Sequence, residues 1–121
     1  MTASRVHMAV GCLFGAGAIA IWAWATHADK LSAGIAAQML LIHAVAIIAL
    51  TSARAAGLLH GSMAVVLISV LSLGVLLFAG DIVSRAYSGQ RLFPMASPIG
   101  GTLMIASWLG LAVTSFLTRR G

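Results

Sequence analysis

Four long stretches of this chain, residues 6–28, 31–53, 55–80 and 92–118, contain no Asp, Glu, Lys or Arg. Each exceeds the roughly 20 mostly apolar residues a helix needs to cross the hydrocarbon of a bilayer. A spanning strand would need only about 10 residues of alternating polarity, and no alternation is present. Composition points the same way. Of the 121 residues, 61% are hydrophobic and 7% charged, whereas a soluble domain carries about a quarter charged residues and so has a solvated exterior. The sequence predicts an all-α fold, a four-transmembrane-helix bundle with helices at 6–27, 32–53, 59–80 and 98–118. These fill a single integral membrane domain, 1–121, with no room for a soluble one.

The connections set the topology. Those at 28–31 and 54–58 are short and force antiparallel neighbours, while 81–97 is long, so an up-down-up-down arrangement is the economical one. Arg5 followed by an apolar run and small residues near Thr26 and Ala28 loosely resembles a secretory signal. The run is longer than a signal core, so it reads as a retained first helix. The net charge of +5 comes from basic residues standing singly at helix ends, where headgroup phosphates lie. Without a basic patch interleaved with aromatics, nucleic acid is not an expected partner. Arg5, Arg54, Arg119 and Arg120 fall on one face, and Lys30, Arg85 and Arg91 on the other. By the excess of basic residues in cytoplasmic loops, both termini are expected in the cytoplasm.

Helices in lipid associate through close backbone approach and interhelical hydrogen bonds. Gly11 and Gly15, with Gly17 beyond, offer a small-residue face on the first helix. Ala33 and Ala37, then Ala49 and Ala53, do so on the second, and Ser97 and Gly101, then Ala106 and Gly110, on the fourth. Both prolines fall in the stretch Phe93-Pro94-Met95-Ala96-Ser97-Pro98-Ile99-Gly100-Gly101. Ser97 is expected to cap the fourth helix, with Pro98 in its first turn and Gly100 and Gly101 admitting a neighbouring backbone. Helix packing, rather than phosphate binding, is the expected role, since neither Gly-x-Gly-x-x-Gly nor a P-loop pattern occurs.

The candidate intramembrane polar site is His43, at the centre of the second span, where ionisable groups are costly. It is expected to be a neutral imidazole bonded to a carbonyl or hydroxyl, with Ser69 and Ser72 of the third helix as partners. Proton or solute handling is the functional reading. Haem is disfavoured because His7, His27 and His60 all lie near membrane faces. Asp81 and Arg85, four residues apart, read with Arg91 as an interfacial ion pair ending the third span, or as a lipid headgroup contact. Trp22 and Trp24 read as interfacial anchors and Trp108 as packing. Cys12 is the single cysteine, so no intrachain disulfide or thiolate cluster forms. Two acids, Asp29 and Asp81, and no Ser-His-acid set or zinc spacing leave no parts for catalysis. No catalytic residue, cofactor or metal is expected.

Several of these residues resemble a known family, the domain of unknown function 423 proteins, small bacterial membrane proteins related to eukaryotic transmembrane protein 256. The likeness spans about 8–112. Its most specific part is Pro98-Ile99-Gly100-Gly101 followed by Trp108-Leu109. Phe78-Ala79-Gly80 is similar to the family's Phe-Ser-Gly, Ile42-His43-Ala44 to its Tyr-His-Ala, and His27 follows the first helix as in its Gly-Ala-His. Asp81 and Thr26 stand where serine and glycine are usual. The resemblance implies a four-helix protein of the bacterial inner (cytoplasmic) membrane and no established activity. Together with the small-residue faces, it sets the expectation of a non-catalytic packing or accessory subunit that binds other membrane proteins, a second copy or lipid. The alternative is a small channel or transporter for protons or a small solute, with His43 on the path. A quinone- or lipid-modifying enzyme would need further ligands from a partner.

Overall fold

The structure is a computed structural model that describes residues 2–117. Four helices follow one another: α1 (Ala3–His27), α2 (Leu31–Ala55), α3 (Gly61–Ser88) and α4 (Ala96–Thr114). Each is long and apolar enough to cross a bilayer, the fourth span running Ala96–Phe116. The bundle is up-down-up-down. Helices α2 and α3 form its central pair; α1 packs on α2 and α4 on α3, and α1 and α4 do not pack on each other.

The elements differ from those expected at several ends: α1 begins at Ala3 rather than 6, α3 begins at Gly61 rather than 59 and α4 ends at Thr114 rather than 118. Two further differences have a visible cause. Helix α3 runs on through Asp81 to Ser88 rather than ending at 80, because Gly89 supplies the left-handed backbone (φ 75°) that stops it. Helix α4 begins at Ala96, two residues early. Its N-cap is Met95, itself left-handed at φ 70°, and not Ser97. Ser97 lies inside the first turn, where its hydroxyl is engaged elsewhere, and Pro98 sits beside it, exposed, where a missing N–H costs nothing. The two tight connections reverse within a few residues. After α1, Asp29 adopts φ 55° and the Lys30 N–H returns to the Ala25 carbonyl at 2.9 Å. After α2, Gly57 at φ 82° lets the Leu58 N–H reach Ala53 O at 2.9 Å.

The interior is filled by Ile47 of α2 with Ile68, Leu71 and Val75 of α3, all fully buried, and by a run of alanines, Ala33, Ala36, Ala37 and Ala44, along α2. Large apolar side chains such as Leu13, Ile19, Val45, Leu76, Ile105 and Leu109 face outward, as hydrocarbon allows. What lets the helices close on one another is missing side-chain bulk. A β-carbon at Gly100 would lie 2.7 Å from both Gly74 O and Phe78 N, and one at Gly74 would lie 2.9 Å from Gly100 O. The two backbones therefore cross in direct contact. At the α1–α2 crossing, a β-carbon on Gly11 would meet the Ile48 side chain at 2.7 Å and Ala44 O at 3.1 Å. Gly15 is looser, 3.9 Å from the Ala44 methyl, and Gly101 has only ordinary contact with the Phe78 ring.

Backbone cannot yield as a side-chain tip can. Gly100→Ala is therefore expected to lower unfolding stability in detergent micelles by about 1–3 kcal/mol, the cost typical of overpacking. Gly101→Ala in the next position should change it little, and the pair of variants separates crowding from the general effect of replacing a helical glycine.

Candidate functional site

In hydrocarbon no water is present to satisfy polar groups, so hydroxyls on these helices turn back to their own backbone. Thr51 donates to Ile47 O, Ser72 to Ile68 O and Ser107 to Leu103 O, each four residues back. Ser69 likewise donates to Val65 O, and its oxygen accepts from His7 Nε2 of α1 at 2.9 Å. Neither Ser69 nor Ser72 therefore serves His43.

His43 is partnered by Trp108 instead. The indole Nε1, which only donates, bonds to His43 Nε2 at 3.1 Å across from α4. That makes Nε2 the acceptor and puts the ring proton on Nδ1, which donates to Met39 O of the preceding turn at 2.8 Å. Both ring nitrogens are used and the imidazole is neutral in this arrangement. The residue is 5% exposed, and the two rings pack tilted with centroids 5.8 Å apart. Trp108, expected to be a packing residue, is a hydrogen-bond donor. The sequence did carry a signal for this: α2 and α4 run parallel, and His43 lies as far beyond Leu31 as Trp108 lies beyond Ala96.

The second polar centre gathers around Asp81, which is 1% exposed. One carboxylate oxygen, Oδ2, accepts from Ser97 Oγ at 2.6 Å and faces Arg85 Nε at 3.3 Å. The other accepts the Leu92 N–H at 3.0 Å. Arg85 also donates to Ser97 Oγ at 3.3 Å. The helix itself continues for two turns past Asp81; the carboxylate pins the α3–α4 connection and the start of α4 against the side of α3. Arg85 is half exposed, and Arg91 lies exposed in that connection with no contact ion pair among the described residues.

A third group lies at the opposite end of the bundle. Arg54 Nη2 donates to Ser4 Oγ. Within the structure, Arg54 Nε, His60 Nδ1 and His7 Nδ1 are buried without a partner. Trp24 and Tyr87, near the Asp81 end, pack tilted at 6.1 Å. Among the described residues, no three His, Cys, Asp or Glu side chains converge as metal ligands would.

Residues 15–101 match the family model described as "Protein of unknown function (DUF423)". The chain belongs to this family. It is 31% identical over 89 residues, 74% of this chain and 68% of the relative, to a UPF0382 membrane protein of Haemophilus influenzae. No solved structure matches it. The stretches that carry the family resemblance meet in pairs. Phe78 lies against Gly100 and Gly101 where α3 crosses α4, and His43 is bonded to Trp108.

Removing the buried carboxylate should cost far more than removing its exposed partner. Asp81→Ala is expected to lose about 3 kcal/mol of stability, and Arg85→Ala under about 1 kcal/mol. Unfolding in mixed micelles reads the ranking, and limited proteolysis of the α3–α4 connection should accelerate in the first variant only. Trp108→Phe leaves His43 Nε2 without its donor and should cost about 1–3 kcal/mol.

Proposed function

We propose that this integral membrane protein is a non-catalytic packing or accessory subunit that binds other membrane proteins or lipid. The observation that supports it best is the engagement of His43. A side chain poised to carry protons or solute needs a free nitrogen and a wet path, whereas both nitrogens of this ring are committed within the bundle. The second polar centre, at Asp81, is likewise used to tie helices together. What the molecule presents outward is apolar surface, broadest on α1, where about a sixth of the span is buried. Among the described residues the interior holds no acid and base paired for proton transfer, which favours the non-catalytic reading.

Helical spans and the relative named as a membrane protein in Haemophilus influenzae favour the bacterial inner membrane. By sequence, Arg5, Arg54, Arg119 and Arg120 belong to the end that carries the N-terminus and Lys30, Arg85 and Arg91 to the other, and this excess of four over three favours cytoplasmic termini. Proton or solute passage along His43 is the weaker alternative.

Chemical crosslinking in native membranes, followed by extraction in mild detergent, tests the proposal. The expected result is a defined species larger than one chain, with or without a second protein. A lone monomer without a partner would refute it. In reconstituted vesicles, proton flux should equal that of empty vesicles, and His43→Ala should leave it there; flux abolished by that substitution would establish the alternative.

A further inference from the structure

The end of the bundle that holds Arg54 contains cations without acids. The sequence has two acidic residues, Asp29 and Asp81, and both lie at the other end, after α1 and late in α3. At the Arg54 end, the last turn of α2 and the start of α3 enclose an open pocket of about 680 Å³, lined by Arg54, His60 and Gly61. Among the described residues Arg54 meets no carboxylate. Its Nε and the His60 Nδ1 are buried and unpartnered. The first turn of α3 has no side-chain cap and no acidic residue, so its free N–H groups add positive potential there.

Below this pocket lies a groove of different character. It runs between α3 and α4, about 500 Å³ in volume, lined by Met63, Val66, Leu67, Gly110 and Val113 and almost wholly apolar. Met63 borders both, so the two adjoin. Gly110 keeps the groove floor low: a β-carbon there would already press on Leu67 at 2.9 Å. A cationic pocket at the bilayer surface leading into an apolar slot within the hydrocarbon has the polarity order of a phospholipid.

We propose that this is a binding site for one anionic phospholipid, its phosphate held by Arg54 and His60 and one acyl chain laid along Val66 and Val113 between α3 and α4. The proposal rests on the lipid-binding half of the proposed function and gives it a location. It places the headgroup contact at the opposite face from Asp81, Arg85 and Arg91, where Asp81 already neutralises the nearest guanidinium.

The test uses the full chain, delipidated in a nonionic detergent. Its thermal denaturation is followed during titration with phosphatidylglycerol, phosphatidylcholine of the same acyl chains, or inorganic phosphate. The expected result is a rise in Tm of several degrees with phosphatidylglycerol and none beyond the detergent baseline with the other two. The double variant Arg54→Gln, His60→Gln should need about tenfold more phosphatidylglycerol for the same rise. Val66→Phe, which plugs the groove from the lipid-facing side, should also weaken the response, and Arg91→Gln should leave it unchanged. Val66→Phe alone serves should the double variant fail to fold. An equal response to phosphatidylcholine or to inorganic phosphate, or a plugged variant that titrates like the wild type, would overturn the proposal. Crosslinking of the wild type in membranes keeps the two readings apart, because a chain that associates but gives no selective response to phosphatidylglycerol rejects this site alone.

Discussion

Hydrocarbon gives a folded helix no gain for burying leucine, so a bundle of this kind depends on how closely its backbones can approach. In this protein the decisive approach is at Gly74 and Gly100, where each glycine occupies the space a side chain on the other would take. Dispersion between peptide groups falls off steeply with distance, and this pair of positions brings α3 and α4 to that range. The α1–α2 contact at Gly11 is softer, since Ile48 supplies the nearest atoms and can turn aside. The two hairpins are thus held internally by different means, rigid in one and adjustable in the other.

Between the hairpins, polar contacts add to the packing of Ile47 against α3. His43 reaches Trp108 across from α2 to α4, and His7 reaches Ser69 from α1 to α3. Each joins two parallel helices that are not neighbours in sequence, and each leaves no polar hydrogen facing lipid. Asp81 acts differently. It lies on one helix and collects the connection that follows, accepting from Leu92 and Ser97 while Arg85 balances its charge. A carboxylate buried in an otherwise apolar chain is stable there because every lone-pair direction that matters has a donor.

Much of this was legible in the sequence for a simple reason: charge is so costly in the bilayer that its absence marks the spans directly. Residue positions along each helix were harder to read. The run of Ile82, Val83 and Ala86 past Asp81 keeps a helical pattern, yet a charge pair there looks like a boundary, so the extension of α3 to Ser88 was hidden. Ser97 before Pro98 has the local chemistry of a cap, but a carboxylate sixteen residues away competes for its hydroxyl, and no local rule contains that competitor. Gly74 went unmarked because its nearest small partner is in another helix, not four residues along its own. Trp108 was readable by depth, as the parallel register with His43 shows, and was missed because tryptophan is more often an anchor or filler.

Helix α3 has 28 residues and α4 has 19, about 42 and 28 Å at 1.5 Å per residue. From Gly61 to Asp81 the rise is about 30 Å, close to the depth of the acyl layer, so an acyl layer that begins at Gly61 would end at about the height of the carboxylate. Beyond it α3 has two further turns, in which a thicker membrane can take in Ile82 and Val83 while the half-exposed Arg85 extends towards the headgroups. Helix α4 has no such reserve. Hydrophobic mismatch therefore acts unequally on the two sides of the bundle, and on the α4 side it is relieved by deforming the surrounding lipid rather than the protein.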